Sequence, residues 1–507
     1  MARGFKDYFT FDEILSDLIK KRLAHKDVGM TLPPRSQWMR SGLRERKGQS
    51  AETNRRKSIR RTVMSCKRNG QLKFQPWGVK LSDLADAIQS AVFSGTVAFQ
   101  RPRIVDIPKG FKNGVLEKRE VAIFDNLFDR IVLSRITAYV RDVLEDALSE
   151  HCYSFRRDRN ITHQTAIENL QKWRSRFPTG SLAVAECDIR KFFDNIRHDV
   201  VCSCWDAIGL FDPLARKILT AYLGVYSFHE EEGRGIPQGG SFSTVLANLV
   251  LLTADSAVLD AASGDAFYAR YCDDVIFASP DISACQNMMS AYARALARLD
   301  LPMHAVQPFV YSRQDGQKTT YYALKSKGPF HWRNPDPNED NCAPWVSFLG
   351  CQIRYDGETR IREESIQKHV RSLGHETATR VKELNDGLLA GLGNDGIGKW
   401  FARFRNKLIA KGVGYVTAKV EDCGMCWAGA FPMVTNCAET KMQMRRLDRI
   451  REGMLCKVFN MLPIAFRKRH QRYKGRPFSY FGFLQKAIRP TNMVFRRNRH
   501  LLNYSDL

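Results

Sequence analysis

The sequence lacks the usual features of a secreted, membrane-bound or zinc-dependent protein. Neither a secretory signal nor an apolar run of membrane-spanning length is evident, so we expect a cytoplasmic protein that contacts no membrane. The 13 cysteines are odd in number and scattered, which favours a reducing compartment. Cys423 and Cys426 form a Cys-x-x-Cys pair, but no second pair lies at zinc-ligand spacing. We therefore interpret them as two buried thiols rather than as ligands of a structural zinc.

Negative charge is also scarce. The 507 residues include 79 Lys and Arg against 54 Asp and Glu, a formal net charge of +25. Such an excess favours a polyanionic partner, with nucleic acid first, although an evenly basic surface without a partner is the alternative. Basic side chains concentrate in an arm at residues 44–68 and in a helix predicted over Lys441–Phe459. The candidate RNA contacts in these two segments are Arg55, Arg56, Arg60, Arg61, Arg445 and Arg446.

Two adjacent carboxylates, Asp273 and Asp274, interrupt an otherwise apolar run. The flanking residues Phe267–Tyr271 and Val275–Ala278 are aromatic and β-branched, which predicts two strands with the acidic pair at the hairpin tip. Carboxylates held roughly 3 to 4 Å apart repel each other unless a cation lies between them, and Mg²⁺ prefers such oxygen ligands. The alternative is a solvated Asp-Asp turn.

Two further stretches favour the metal site over the turn. A predicted strand over Ser181–Asp188 ends in a third carboxylate, which reaches the same ion if the two strands are neighbours. A glycine-rich loop, Gly233–Ser241, precedes a helix predicted over Phe242–Leu251. Glycines allow a ligand to approach the backbone closely, and the helix start offers N–H donors to an anion.

Four segments taken in order resemble the palm and fingers of reverse transcriptases, across about residues 101–355. They are DIRKFFDNI with Asp188, GIPQGGSFS, YCDD with the acidic pair, and VSFLGC. The similarity is greatest to bacterial defence-associated, group II intron and retron enzymes. It implies an α+β right-hand polymerase fold with fingers and palm, followed by an α-helical thumb and a C-terminal extension. The implied division is a basic arm (1–75), fingers (76–180), palm (181–355), thumb (356–460) and basic tail (461–507).

The resemblance also implies roles for individual residues. Asp188, Asp273 and Asp274 would be catalytic and would bind two Mg²⁺ ions, and Phe193 would exclude a ribose 2′-hydroxyl, which implies dNTP substrates. The implied nucleotide contacts are Lys118, Arg119, Phe193, Gln238 and Gly239, and the implied primer or template contacts are Tyr271, Cys272, Phe348, Leu349 and Gly350.

Two segments depart from the family pattern. Tyr153–Arg157 resembles the YGFRP segment of intron enzymes, but Ser154 replaces Gly and Arg157 replaces Pro. Arg156 is its candidate RNA contact. The segment at 301–308 lacks the lysine thought to protonate pyrophosphate, for which His304 or Lys318 are candidates.

These observations predict an RNA-directed DNA polymerase that copies a noncoding RNA template into a DNA product, in antiviral defence. The alternatives are a group II intron maturase or retron-type enzyme, and a non-catalytic RNA-binding splicing scaffold. Tyr504, in the C-terminal tail, is a candidate protein primer. A homo-oligomer is left open.

Overall fold

The computed structural model describes residues 3–24, 51–112, 115–158, 160–178, 180–226, 232–306, 324–334, 341–413, 432–469 and 479–488. The chain divides into two compact units. Unit 1 comprises Met1–Ala166, Thr179–His331 and Pro335–Cys342, and unit 2 comprises Ile167–Pro178, Trp332–Asn334 and Ala343–Leu507. Helices and strands are mixed, as expected for an α+β protein. The five predicted domains divide the chain more finely than these units and stay predictions.

The elements before residue 307 form most of unit 1. They are α1 (Phe5–Tyr8), α2 (Phe11–Ala24), α3 (Ala51–Arg68), α4 (Pro76–Ser94), β1 (Arg103–Lys112), β2 (Val115–Ile123), α5 (Leu127–Leu144), α6 (His163–Arg174), β3 (Leu182–Asp188), α7 (Phe192–Asn195), α8 (His198–Ile208), α9 (Pro213–Leu223), α10 (Ser241–Ala261), β4 (Phe267–Tyr271), β5 (Asp274–Ser279) and α11 (Ile282–Arg298).

The elements after residue 323 complete the described chain. They are β6 (Lys327–Trp332), β7 (Cys342–Ala343), β8 (Trp345–Phe348), β9 (Cys351–Arg354), β10 (Thr359–Ile361), α12 (Glu363–Asn385), α13 (Asn394–Val413), α14 (Ala438–Asn460), α15 (Ile464–Arg469) and α16 (Tyr480–Ile488).

A five-stranded sheet with the order β4-β5-β3-β6-β7 forms the centre of unit 1. Strands β3 and β5 are antiparallel neighbours, and β4 and β5 form a hairpin. Their residues are apolar on both faces because α10 and α11 pack near the sheet with Leu, Val, Ala and Met side chains. This buried position explains why the strand sequences read as continuous apolar runs.

Helix α10 corrects two expectations. It extends to Ala261, ten residues beyond the predicted end at Leu251, and it is long and apolar enough to cross a membrane by length and composition. The expectation that the sequence contains no apolar run of membrane-spanning length was therefore wrong. Because 67% of its apolar window is buried inside the protein, its composition is that of a core helix surrounded by other elements.

The residues Pro108-Lys109-Gly110 predict a turn at the end of a strand over Arg101–Pro108, but β1 runs through them. Strand β1 continues through Pro108 to Lys112, and its register against β2 shifts between Pro108 and Gly110. A bulge of this kind accommodates a proline, which has no N–H for the ladder, without ending the strand.

Unit 2 contains a small sheet, with the order β10-β9-β8, and a helical bundle. Two clusters fill the bundle, one around Ile366, Met444 and Tyr480, and one around Phe404 and Val458. The residue pattern over Val381–Leu392 predicts a helix there, but the helix in this region lies earlier in the chain. Helix α12 ends at Asn385, and the following residues form turns with Gly387 and Gly391 at positive φ.

Candidate active site

The three candidate carboxylates lie at one end of the central strands of unit 1. In the β3–β5 ladder Asp188 is the Cα partner of Asp274, which confirms that the two predicted strands are neighbours. In the β4–β5 hairpin Tyr271 pairs with Asp274, so Cys272 and Asp273 form the two-residue turn. Cys272 has a φ of 60°, in the left-handed region that non-glycine residues rarely adopt. The turn therefore brings Asp273 beside the other two carboxylates.

Two of these carboxylates, Asp188 and Asp273, repel each other. Asp188 is 7% exposed. Burial raises the pKa of Asp273, and the charge of Asp188 raises that pKa further. Because buried like charges are stable as anions only beside a cation, and because all three donors are hard carboxylate oxygens, the set fits a magnesium-type ion. Asp188 and Asp273 would hold it, with Asp274 next to them.

A lysine that the sequence analysis missed also lies at this site. The Nζ of Lys325 is 2.6 Å from Oδ2 of Asp188. Desolvation acts to lower the pKa of Lys325, but the hydrogen bond and the attraction of Asp188 raise it on balance. Two residues farther along the chain, the buried Lys327 at the start of β6 pairs with Glu186 of β3. Lys325 and Lys327 are two residues apart, as are Glu186 and Asp188. This matching spacing was the sequence signal that could have predicted the two ion pairs between neighbouring strands.

His304, a candidate for the pyrophosphate-protonating role, lies next to the end of β3. The backbone N–H of His304 donates to the carbonyl of Asp188 at 3.0 Å. That hydrogen bond places the His304 backbone against the end of β3. The other sequence candidates Lys318, Tyr504, Cys423 and Cys426 lie outside the described residues.

The glycine-rich loop is attached to the residues that follow β3. The N–H of Ile236 donates to the carbonyl of Phe193 at 2.9 Å, and Nε2 of Gln238 donates to Asp194 at 2.7 Å. The ring of Phe193 is half-buried. On its other side, the loop accepts a hydrogen bond from the N–H of Ala122 through the carbonyl of Gln238 at 3.0 Å. The structure thus joins the backbone of Phe193, the predicted sugar-selecting residue, to the predicted nucleotide loop.

Gly239 is constrained by both conformation and space. Its φ is +97°, and a Cβ at this position would lie 2.6 Å from Cγ1 of Val121. Only glycine allows the loop to approach β2 this closely.

Lys118 and Arg119 project to opposite faces of the β1–β2 ribbon, because neighbouring residues of a strand alternate. Both side chains are exposed. Lys118 forms an ion pair with Asp106 at 2.9 Å. Contact with a triphosphate stays a prediction for each of them. Because the two side chains lie on opposite faces, single substitutions of Lys118 and Arg119 can test their contributions separately.

The primer-end candidates Tyr271 and Cys272 lie in unit 1. The ring of Tyr271 contacts those of Phe155 and His163, with centroids 6.2 Å apart in each pair. Burial raises the pKa of the Tyr271 hydroxyl. Cys272 is 8% exposed, and burial, together with the adjacent Asp273, raises the pKa of its thiol. Both side chains are thus neutral at pH 7.

The primer-grip candidates lie in unit 2. Phe348 pairs with Cys351 across the β8–β9 hairpin. Leu349 and Gly350 form its turn, with φ values of 48° and 83°. Positive φ at both turn residues is typical of a type I′ hairpin, in which leucine is unusual at the first position. Their contact with a primer stays a prediction.

Arg156 does not have the exposed position that an RNA contact needs. Its side chain is 7% exposed, and its Nε is 3.0 Å from Oε1 of Glu145. The guanidinium also donates to the carbonyls of Ser149 and Cys152, at 2.7 and 3.1 Å. We therefore correct its role to one of fixing the 145–157 segment. A mixture of cations and aromatic residues is typical both of RNA-binding segments and of segments in which a buried arginine binds carbonyl groups. Composition alone therefore gave the wrong role for Arg156.

The other basic candidates differ in exposure. Arg60 and Arg61 are exposed on α3, whereas the side chains of Arg55 and Arg56 lie outside the described residues. In unit 2, Arg446 pairs with Glu363 at 2.8 Å, and Arg445 lies 4.9 Å from the ring centroid of Phe481. Arg451, on the same helix α14, is 4% exposed and belongs to the core.

Comparison with known proteins identifies one segment. Residues 122–306, which contain Asp188, the glycine-rich loop and the acidic pair, match the family described as "Reverse transcriptase (RNA-dependent DNA polymerase)". Among curated proteins, "Putative COX1/OXI3 intron 1 protein" of Saccharomyces cerevisiae is 28% identical over 171 residues, or 33% of this chain. The chain matches only 19% of the length of that relative.

Solved structures with similarity include two yeast telomerases. Apo telomerase of Candida tropicalis is 10% identical with a TM-score of 0.40, covering 96% of this chain and 81% of that one. Telomerase of Candida albicans in complex with a TWJ fragment of telomeric RNA is 10% identical with a TM-score of 0.38, covering 96% and 80%.

Proposed function

We propose that this chain, whose residues 122–306 form a reverse transcriptase domain, is an RNA-directed DNA polymerase. The observation that supports the proposal most directly is the cluster of Asp188, Asp273 and Asp274 on neighbouring strands within that domain. Nucleotidyl transfer needs no nucleophilic side chain, but it needs carboxylates that hold divalent ions. When bound there, two Mg²⁺ ions would activate the primer hydroxyl and neutralise the triphosphate.

The residues around the cluster have separate tasks in this proposal. Phe193 is fixed to the glycine-rich loop through its backbone and would exclude a ribose 2′-hydroxyl, so that dNTPs are selected. Gln238 and Gly239 would contact the incoming nucleotide. Arg119 or Lys118, on opposite faces of the ribbon, would bind its phosphates.

Primer extension with purified protein, RNA template, DNA primer, dNTPs and Mg²⁺ tests this function. We expect Asp273→Asn to reduce incorporation by several orders of magnitude, as loss of a metal ligand usually does. The control Asp260→Asn changes an exposed carboxylate at the end of α10 and should retain the wild-type rate. Equal incorporation by wild type and Asp273→Asn would exclude the mechanism and favour the non-catalytic scaffold.

Selection of dNTPs is tested separately. Phe193→Val should increase incorporation of ribonucleotides relative to deoxyribonucleotides, because the smaller side chain leaves room for a 2′-hydroxyl. An unchanged preference would remove Phe193 from this role.

For the biological role, we propose copying of a noncoding RNA in antiviral defence, in the cytoplasm. The net charge of +25 and exposed cations such as Arg60, Arg61 and Arg446 support an RNA partner. The defence role is supported by a resemblance of length and architecture to the defence-associated enzymes. Sequencing the RNA and DNA that copurify with the protein identifies template and product, and phage infection of cells with wild type or Asp273→Asn tests protection.

An intron-associated function is the second candidate. The observation that favours it is the 28% identity of the matched segment to the Saccharomyces intron 1 protein. Copurification of an intron RNA, or splicing that depends on this protein, would favour this alternative over a dedicated noncoding template.

The primer is the remaining part of the proposal. Tyr504 could supply its hydroxyl and would then retain a covalent bond to the product. DNA that stays attached to protein after RNase treatment, and loses that attachment in Tyr504→Phe, would support this role. Unchanged attachment in the variant would exclude Tyr504.

A further inference from the structure

The peptide that precedes Asp273 is held from behind by buried polar groups. The N–H of Cys272 donates to Oγ of Ser154 at 3.0 Å. The carbonyl of Cys272 accepts from Nη1 of Arg270 at 3.3 Å. Both backbone groups of this turn residue thus have partners, although a hairpin turn normally leaves such groups to solvent.

Ser154 is itself fixed, by a side chain of the core helix α10. Its hydroxyl donates to Oδ1 of Asn248 at 3.1 Å, while Nδ2 of Asn248 donates to the Ser154 carbonyl at 2.8 Å. Ser154 is fully buried and Asn248 is 1% exposed. The Ser154 hydroxyl therefore donates its proton to Asn248, and its oxygen accepts the hydrogen bond from the Cys272 N–H.

A buried ion pair anchors the other end of the network. Arg270 donates to both carboxylate oxygens of Asp255 at 2.6 Å and to Oδ1 of Asn248 at 3.1 Å. The backbone of Arg270 also pairs with the segment before Ser154, since it donates to the carbonyl of His151 and accepts from the N–H of Tyr153. This anchor fixes the Ser154 segment against β4, where its hydroxyl meets the turn.

We propose that Ser154 is a positioning residue, whose hydroxyl fixes the Cys272 peptide and thereby directs the Asp273 carboxylate toward the metal. The inference rests on the proposed function of the carboxylates, but Ser154 touches neither substrate nor ion. Without its hydroxyl, the Cys272 N–H has no acceptor in a buried place, and the left-handed conformation of Cys272 loses a restraint.

The first test is hydrogen exchange, which needs no catalytic activity. In the wild-type protein, the Cys272 amide should exchange slowly despite its place in a turn. In Ser154→Ala it should exchange much faster, and in Ser154→Thr, which retains a hydroxyl, protection should return. A rapidly exchanging Cys272 amide in the wild type would overturn the proposal without any variant.

The second test is metal binding, measured by titrating the protein with Mn²⁺ and following the free ion by electron paramagnetic resonance. We expect Ser154→Ala to raise the Mn²⁺ dissociation constant about tenfold, because loss of a group that orients a ligand typically costs 10–100-fold in metal affinity. Ser82→Ala, which removes another hydroxyl that is 1% exposed, should leave it unchanged. A lower Tm for Ser154→Ala with unchanged Mn²⁺ affinity would show a structural role only.

Activity separates this inference from the function on which it rests. If Ser154→Ala weakens Mn²⁺ binding but the wild type incorporates no dNTP, the positioning role stands and the polymerase proposal fails. If the wild type is active, Ser154→Ala should need about tenfold more Mg²⁺ for half-maximal rate. Its kcat at saturating Mg²⁺ should approach the wild-type value. An active variant with a wild-type Mg²⁺ requirement would overturn the inference alone.

Discussion

Replacing Lys325 should strengthen metal binding at the carboxylate cluster. Its ammonium lies 2.6 Å from a carboxylate oxygen of Asp188, which is also the oxygen donor that a divalent ion needs. Lysine and the ion therefore compete for one ligand. Lys325→Ala removes the competitor, whereas Lys325→Arg retains it.

The magnitude follows from the exposure of the pair. At 2.6 Å two unit charges attract by about 1.6 kcal/mol in water and by about 6 kcal/mol at an effective dielectric constant near 20. Since the lysine side chain is 61% exposed and that of Asp188 is 10% exposed, we discount the interaction to about 1 kcal/mol, the upper end for surface pairs. Mn²⁺ should then bind Lys325→Ala about fivefold more tightly than the wild type at low salt.

Titration with Mn²⁺ at two ionic strengths checks this value. The gain should shrink at high salt, because the exposed ammonium is screened. Lys73→Ala is the control, since the Lys73 side chain is 65% exposed, close to the value for Lys325, and also pairs with a carboxylate, that of Asp86 at 2.9 Å. Unchanged or weaker Mn²⁺ binding by Lys325→Ala would refute the competition and would indicate that the lysine instead supports the ligand geometry.

Three further outcomes are expected. Burial and the charge of Asp188 raise the pKa of Asp273, so the stability that its protonated form contributes is present below pH 3.8 and is lost as the pH rises through the raised pKa. Asp273→Asn should therefore increase the Tm of the metal-free protein at pH 7 but not at pH 3.5. Burial and the charge of Lys411 lower the pKa of His369 to about 4. The free energy of unfolding should therefore fall by up to about 3 kcal/mol as the pH falls from 6.5 to 4. In thermal melts over this pH range, His369→Gln should lose less stability than the wild type. Gly239→Ala should raise the KM for dNTP in primer extension, and adding Val121→Ala should restore part of it, because the new Cβ meets that side chain.

The hairpin and its neighbouring strand could be predicted because their sequences state local preferences clearly. Aromatic and β-branched runs flank the acidic pair, and the two-residue turn leaves little choice of register. That the strand ending at Asp188 lies beside the hairpin was a different kind of expectation, since 85 residues separate Asp188 from Asp274 in the sequence. It came from the order of motifs rather than from periodicity.

The partners of these carboxylates could not be predicted in the same way. Lys325 is 137 residues from Asp188, and Ser154 is 118 residues from Cys272, so only the fold brings them together. The sequence around this lysine and this serine is compatible with many different positions in a fold, so it does not identify their partners. Arg156 shows the reverse error, because an arginine that satisfies three carbonyl or carboxylate groups has the same sequence context as one that binds RNA.

Ser154 and Lys325 act on the same metal site in opposite senses, which makes their combination informative. Ser154 fixes the turn residue before Asp273 through the backbone, while Lys325 binds the side chain of Asp188 on the neighbouring strand. If the two effects are independent, their free energies add: about tenfold weaker and about fivefold tighter Mn²⁺ binding leave the double variant Ser154→Ala/Lys325→Ala about twofold weaker than the wild type. A double variant as weak as Ser154→Ala alone would contradict independence. It would mean that Asp273, once misplaced, no longer shares an ion with Asp188, so that freeing Asp188 gains nothing.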